Sequence, residues 1–297
     1  MRHRGSGFTL IELLVVIAII ALLIGILLPA LSAARSSARA VKSQVNLRSL
    51  MQGLQMYVDD SEGLLPPHRM PTGKHVSSGR ERARWHWLVS DYVGGAPYQP
   101  RDQEERESFD TTNDIPRIDN EVFLDPVHRL EDFRSKQTGE IQALRNGSYG
   151  YNYQYLGNAR SGGGALPFAN YPVRLSRILT PSLTVGIATS SGSQRLRIDE
   201  GFREHAYTLD APRLDAGATG SAEWGHSSGP VPGGNYHGGR VLVGWLDGRA
   251  DRQTLDELGY DVVDDGRGEV AIDSGSNRYF SGTGSDRDGR NAPIDNR

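Results

Sequence analysis

One carboxylate interrupts a long apolar stretch near the start of the chain. Glu12 precedes a hydrophobic run that continues from Leu13 to Leu28. Insertion scales put the cost of an ionised side chain at the centre of a bilayer at about 2.5–3.5 kcal/mol, so such a residue usually has a partner and a function. The alternative is a side chain that reaches the water interface at the membrane edge. We expect the Glu12 carboxylate to meet a positive group.

His237 and Asp247 are a second pair of residues with chemical potential. They could serve as a general base or as metal ligands, but such sites need several convergent groups and the sequence offers no third. Glycines follow both residues, which favours a structural interpretation in which they bracket a strand and Asp247-Gly248 forms a turn. The sequence also lacks a Gly-x-Ser-x-Gly elbow, a Walker loop and a His-Glu-x-x-His motif. We therefore predict that the protein is not an enzyme.

The C-terminal tail carries carboxylates around a glycine. Asp286 and Asp288 occupy alternate positions, and Asp295 follows. An oxygen-rich loop of this kind can bind a hard cation such as Ca²⁺. Arg287 and Arg290 lie among these carboxylates, so a solvated tail is the alternative. Both interpretations stay open.

The apolar run is long enough to cross a membrane, which takes about 20 residues. A short basic segment, Arg2-His3-Arg4, precedes it. The alternative is a secretory signal peptide cleaved after Ala30 or Ala34, although its apolar region is normally shorter. Basic residues lie on both sides of the run, so charge alone does not decide the orientation.

The segment around Glu12 resembles the cleavage and methylation signature of type IV pilins and type II secretion pseudopilins, in the order Gly7-Phe8-Thr9-Leu10-Ile11-Glu12-Leu13-Leu14-Val15-Val16. The resemblance implies that a prepilin peptidase cuts after Gly7 on the cytoplasmic side and methylates the new amino group of Phe8. The major pseudopilins of type II secretion also carry a calcium-binding loop near the C-terminus, to which the tail is loosely similar.

The resemblance also gives Glu12 a partner. When subunits pack side by side, its carboxylate can meet the amino group of Phe8 on a neighbouring chain. Two charges that are costly alone then form a pair and set the register of assembly.

A helical pattern continues beyond the apolar run. Apolar residues recur there at three- and four-residue intervals: Leu47, Leu50, Met51, Leu54 and Val58. We predict one helix over residues 8–60, with its transmembrane part at 8–31, that ends in the turn formers after Val58. Phe8 to Tyr57 would run about 75 Å, so the outer half needs a domain to cover its apolar stripe. Pro29 permits a kink.

Composition narrows the function of the remaining chain. The formal net charge is -3 with both signs mixed, and no Lys/Arg run occurs, so nucleic acid is not a predicted partner. The chain has no cysteine, which excludes disulfides, thiolate catalysis and Cys-ligated zinc. An exported domain must then hold itself together by packing, with a bound ion as the one further means that the tail offers.

The rest of the chain is predicted to be rich in strands. The alternating tyrosines from Tyr149 to Tyr155, the run 183–188 and the run 240–246 all fit strands. Segments 99–120 and 157–170 fit exposed loops, and the tail from Asp273 onward is predicted to be disordered unless an ion orders it. We therefore predict an α+β fold, in which a long N-terminal helix packs on a mainly antiparallel sheet. Its parts are a leader at 1–7, the helix at 8–60, a domain at 61–272 and a tail at 273–297.

Several further stretches resemble the large pseudopilin-like proteins of planctomycete-type bacteria. They are Leu27-Leu28-Pro29-Ala30-Leu31, Asn46-Leu47-Arg48, Met56-Tyr57, Leu65-Pro66, Ser148-Tyr149-Gly150-Tyr151-Asn152, and His237 with nine residues before Asp247-Gly248. Those relatives commonly have a Cys before the Asn-Leu-Arg stretch and another in a Cys-Pro element. The corresponding residues here are Gln44 and Asp125, so a disulfide between helix and sheet would be absent.

Two functional classes remain. The first is a filament subunit of a type II secretion pseudopilus or type IV pilus-like filament, anchored in the inner membrane with its domain outside the cytoplasm. Its partners would be prepilin peptidase, other pilin or pseudopilin subunits and an inner-membrane assembly platform. The alternative is a membrane-anchored periplasmic binding or enzymatic domain that does not polymerise. The Phe8 and Glu12 signature favours the first class, because an ordinary anchor needs neither residue.

Overall fold

The computed structural model describes residues 9–70, 83–94, 120–127, 148–158, 172–191, 207–212, 231–232, 237–264, 269–270 and 274–286. Helix α1 runs from Leu10 to Asp60 without interruption at Pro29. It starts after Thr9, whose side chain caps the first turn. It ends before a turn that is closed by a 2.8 Å hydrogen bond from the Gly63 N–H to the Val58 carbonyl. Gly63 has φ +83°, a conformation that glycine adopts without steric cost.

The two halves of α1 have different surroundings. Every residue from Leu10 to Ala38 is exposed, whereas one face is buried from Ala40 onward. The buried residues include the whole predicted apolar stripe: Leu47, Leu50, Met51, Leu54 and Val58. The predicted amphipathic outer half is therefore confirmed.

A sheet packs against this buried face. Its antiparallel strands are β1 (Tyr149–Tyr151), β2 (Val185–Ser191), β4 (Val241–Trp245) and β5 (Ala250–Gln253), in the spatial order β1-β2-β4-β5. Strand β3 (Val231–Pro232) pairs with the end of β2. Strands β6 (Val262–Asp264) and β7 (Glu269–Val270) form a separate antiparallel pair. The fold is α+β, as predicted. The run predicted as a strand at 183–188 overlaps β2, which begins at Val185 and continues to Ser191, and the run at 240–246 contains β4.

The helix approaches the sheet closely over two glycines. A Cβ built on Gly186 of β2 would lie 2.8 Å from Met51 Cε, and one on Gly244 of β4 would lie 2.7 Å from Met51 Cγ. Real Cβ atoms almost never make such contacts, so the missing side chains let Met51 pack directly on the strands.

Short helices complete the described part of the domain. They are α2 (Trp85–Ser90), α3 (Tyr153–Leu156) and three 3₁₀ helices at Glu121–Phe123, Leu175–Arg177 and Pro181–Leu183. Trp85 of α2 is fully buried, and its indole N–H donates to the Tyr207 carbonyl at 2.6 Å.

The predicted strand of alternating tyrosines is wrong beyond Tyr151. The Asn152 amide group donates to the carbonyls of Val185, at 2.9 Å, and Phe280, at 3.0 Å. The chain then turns into α3 instead of continuing along β2. The four tyrosines, Tyr149, Tyr151, Tyr153 and Tyr155, are all buried, so their alternation did not reflect a strand with one solvent-exposed face. A side chain that competes for backbone partners ended the strand.

The predicted disorder of the tail is wrong for residues 274–286. Phe280 is fully buried and its ring lies edge-on to Tyr260, with the centroids 5.8 Å apart. The Asn277 side chain donates to the Tyr155 hydroxyl at 3.0 Å, and the Tyr279 carbonyl accepts from Val185 N at 2.8 Å. One aromatic side chain and these hydrogen bonds order a segment whose composition alone indicated disorder.

Other predictions fall wholly or mainly outside the described residues. These concern the leader at 1–7, the loop predicted at 99–120 up to residue 119, the loop predicted at 157–170 from residue 159, and the end of the tail from residue 287.

Candidate functional site

The start of α1 binds the Glu12 carboxylate in a capping box. Glu12 Oε2 accepts from the Thr9 backbone N–H and from the Thr9 hydroxyl, both at 2.8 Å. In return, the Glu12 N–H donates to Thr9 Oγ1 at 3.2 Å. This reciprocal arrangement satisfies backbone donors that a helix N-terminus leaves free. The carboxylate therefore has polar contacts within its own chain.

From Leu13 to Leu31, α1 presents an apolar surface on every side. The large apolar residues between Leu10 and Leu31 are all substantially exposed, from Val16 at 44% to Leu10 at 84%. Among the described residues, α1 is the one helix that is long and apolar enough to cross a membrane. None of its apolar 18-residue window is buried by the protein. A core helix of a soluble domain would be covered, so this half needs another environment.

Sequence reasoning identified Glu12 and Pro29 within this helix. Pro29 lies near the end of the exposed half, two residues before Leu31. Gly7 and Phe8, the predicted processing residues, lie outside the described residues.

The second half of α1 joins the domain through polar contacts as well as packing. The Asn46 side chain donates to the carbonyls of Glu121, at 3.1 Å, and Leu124, at 3.0 Å. Ser43 shares a 2.8 Å hydrogen bond with the buried Tyr149 hydroxyl. Burial and the nearby Asp125 carboxyl raise the pKa of Tyr149 well above 10.0, so this hydroxyl stays neutral.

A buried His–Asp pair lies beside this joint. His237 Nε2 is 2.7 Å from Asp125 Oδ2, and the two side chains are 1% and 0% exposed. The other carboxylate oxygen accepts from Val127 N at 3.0 Å, while Asp125 N donates to the Ser148 hydroxyl. His237 Nδ1 has no hydrogen-bond partner among the described residues. The pair ties the segment after the first 3₁₀ helix to the segment before β4.

The sequence drew attention to His237 for its chemistry but to Asp125 only as a position expected to hold a cysteine in related proteins, so the contact between them was not predicted. His237 was matched with Asp247, yet the structure brings it to Asp125 instead. Asp247 lies in the tight β4–β5 connection, where its carboxylate accepts from Arg249 N at 3.1 Å and Gly248 has φ +88°. The prediction that His237 and Asp247 bracket a strand with a turn at Asp247-Gly248 is confirmed.

Gln44 and Asp125, the two positions where the sequence resemblance led us to expect cysteines in related proteins, have separate partners. The Gln44 side chain donates to the Ala250 carbonyl at 2.6 Å. Asp125 pairs with His237. The Gln44 contact therefore links α1 to β5, whereas the Asp125 contact links the segment after the first 3₁₀ helix to the segment before β4.

Asp286 is the one described member of the predicted calcium site. One of its carboxylate oxygens accepts from Asn277 N at 2.9 Å, which helps to close the turn that carries Phe280. No group of three or more His, Asp or Glu suited to a metal ion occurs among the described residues. Asp288 and Asp295 lie outside them, so the calcium site stays a prediction.

Comparison with known families identifies the N-terminus. Residues 2–28 match the prokaryotic N-terminal methylation motif. The match contains Gly7, Phe8 and Glu12 and most of the exposed apolar half of α1. It supports a relationship with the type IV pilins and pseudopilins and indicates a pilin-like protein that prepilin peptidase processes. No curated protein and no solved structure matches the chain significantly.

The methylation motif ends before the joint between helix and domain. Ser43, Asn46, Asp125 and His237 all lie beyond residue 28. The apolar length and the isolated acid made the motif recognisable from sequence. The His–Asp pair offered no such signal, because 112 positions separate its members.

Proposed function

We propose that the protein is a pilin-like structural subunit that assembles into a type II secretion pseudopilus or a type IV pilus-like filament. Prepilin peptidase would cleave after Gly7 and methylate the amino group of Phe8. The observation that carries this proposal is the methylation motif on a helix whose segment from Leu10 to Leu31 is wholly exposed and contains Glu12 as its one charged residue.

Glu12 is the proposed assembly contact. Its capping box with Thr9 supplies hydrogen bonds but no positive charge. In the filament, the carboxylate would pair with the Phe8 amino group of a neighbouring subunit, which neutralises both charges in an apolar setting. Thr9, next to Phe8, holds the carboxylate close to the chain terminus. Pro29, which has no N–H to donate, would allow α1 to bend as subunits pack.

The exposed half of α1 would anchor each subunit before assembly. Leu10 to Leu31 spans about 33 Å at 1.5 Å per residue, close to the thickness of a bilayer core. We propose a single-pass protein of the inner membrane, with the domain on the periplasmic side or displayed on the filament. Other subunits and an inner-membrane assembly platform would be its partners.

Mass spectrometry of the N-terminal peptide from native membranes tests the processing step. The expected chain begins at methylated Phe8. A chain that begins at Met1 would instead indicate a simple anchor, and one that begins after Ala30 would indicate an exported soluble protein. Either result would overturn the proposal in favour of a binding or enzymatic domain that does not polymerise.

Glu12→Ala tests the assembly step. The variant should be processed and inserted normally but should lower the sheared filament fraction at least about tenfold, because an unpaired amine in an apolar interface costs more than about 1.4 kcal/mol. Glu62→Gln is the matched control, since Glu62 is an exposed acid just beyond the other end of the helix. Filaments at normal abundance in the Glu12→Ala strain would contradict the charge pair.

A further inference from the structure

Two arginines lie on α1 just beyond its apolar segment, Leu10 to Leu31. Arg35 is exposed and Arg39 is half-buried, one helical turn apart on the same face. Neither makes an ion pair with any residue that the structure describes. Lys42, the next basic residue, differs because it contacts Glu121 at 2.8 Å.

The arginines continue the face that the domain covers further along the helix. Residues 35, 39, 43, 46 and 50 follow one another at intervals of three or four, which places them on one side of a helix. Ser43, Asn46 and Leu50 on this side are buried against the domain. The arginines therefore project on the domain side of α1, between the first buried contacts and the apolar half.

The backbone of Arg35 lies at the height of the headgroup layer of a bilayer, and the Arg39 side chain is long enough to reach that layer from just beyond it. If Leu31 marks the end of the hydrocarbon core, Arg35 lies about 6 Å and Arg39 about 12 Å beyond it. The headgroup region extends about 5–8 Å on each side of the core. Side chains on a helix tilt toward its N-terminus, so both guanidinium groups reach back toward the membrane.

We propose that Arg35 and Arg39 form a binding site for the phosphate groups of anionic phospholipids in the membrane leaflet that faces the domain. This inference rests on the proposed membrane anchor. A guanidinium group donates two parallel hydrogen bonds to the oxygens of one phosphate, and this geometry favours a phospholipid headgroup over water as the partner. The contact would fix the depth of α1 in the membrane and hold the domain at a constant height before assembly.

Spin-labelled lipids test this site in the processed full-length protein, reconstituted into phosphatidylcholine vesicles. The wild type should immobilise labelled phosphatidylglycerol in preference to labelled phosphatidylcholine, by about fivefold for each arginine. Arg35→Gln with Arg39→Gln should remove the preference. Arg48→Gln is the matched control, since Arg48 is also exposed on α1 but lies past the first buried contacts, and it should leave the preference intact. Added salt should weaken the preference in the wild type.

The outcomes separate this inference from the anchor itself. If no lipid of either kind is immobilised, α1 does not insert and the proposed anchor fails. If both lipids are immobilised equally by the wild type, the anchor stands and the lipid site is overturned. An equal loss in Arg48→Gln would show a general effect of charge and would also overturn the site. So would an unchanged preference in the double variant accompanied by reduced cross-linking between copies, which would assign the arginines to a subunit contact.

Discussion

The two halves of α1 belong to one continuous helix but differ in what covers their apolar side chains. The first half, Leu10 to Ala38, is exposed on all sides. The second half, from Ala40, buries one face against the sheet, with Met51 packed over two glycines. The domain buries apolar side chains of the second half only. The first half needs an environment that the chain does not supply, which is the condition expected of a membrane anchor or a filament core.

The acids associated with the two halves show the same contrast. Glu12 obtains its hydrogen bonds from Thr9, three residues away, and remains exposed. Asp125 is buried at the base of the domain and obtains its partner, His237, from 112 positions away. A local capping box leaves Glu12 available to a neighbouring chain. Asp125 is buried and paired within the domain, so its carboxyl is not accessible to another chain.

Removing the imidazole of His237 should have the largest effect on stability. His237→Ala leaves the Asp125 carboxyl buried without its partner, which we expect to lower the free energy of unfolding by about 3–5 kcal/mol. Chemical denaturation of the detergent-solubilised protein, followed by tryptophan fluorescence, measures this change. Adding Asp125→Ala should recover part of the loss, because no orphaned carboxyl then remains.

The same measurement on Glu12→Gln provides the contrast. Glu12 is exposed and makes its hydrogen bonds with Thr9, and none joins it to the part of the domain that the structure describes, so the unfolding of the domain should be unchanged. A loss below about 1 kcal/mol in His237→Ala would mean that water satisfies Asp125 and that the two acids are less different than their burial indicates.

A matched pair of leucines tests the packing difference between the halves. Leu50→Ala removes a fully buried side chain and should lower the free energy of unfolding by about 2–5 kcal/mol. Leu23 lies on the exposed half, and 53% of its surface is exposed. Leu23→Ala should therefore leave the free energy of unfolding of the domain unchanged. Thermal unfolding monitored by near-ultraviolet circular dichroism compares the two. Equal effects would show that the domain also packs on the first half.

The smallest expected effect concerns the hydroxyl that joins α1 to β1. Tyr149→Phe leaves Ser43 without its buried partner and should lower the free energy of unfolding by about 1–3 kcal/mol at neutral pH. Burial raises the pKa of Tyr149 above its unfolded value of 10.0. The wild type should therefore keep this contribution below pH 10 and lose it as the pH rises toward the folded pKa.

Denaturation midpoints measured between pH 8 and pH 11.5 check the alkaline part. The wild type should lose stability more steeply above pH 10 than Tyr149→Phe does. Parallel curves would show that other groups control the alkaline loss, among them Tyr260, whose pKa burial also raises.

Periodicity predicted the regular elements well. The three- and four-residue spacing from Leu47 to Val58 identified the buried face of α1, and short apolar runs identified β2 and β4. The alternation from Tyr149 to Tyr155 failed because Asn152 hydrogen-bonds to two distant carbonyls and turns the chain. Composition failed at residues 274–286, where the side chain of Phe280 is buried in the core of the domain.

The sequence by itself determined the membrane-length apolar segment, the position of Glu12 within it, the helix and the buried face of the helix. These features depend on residues close together in the chain, where apolar length, helical spacing and capping act locally. The tertiary structure decided that His237 pairs with Asp125, that all four tyrosines are buried and that the tail enters the core. Those contacts join residues from remote parts of the chain, and only the packing of α1 on the sheet brings them within hydrogen-bonding or van der Waals distance.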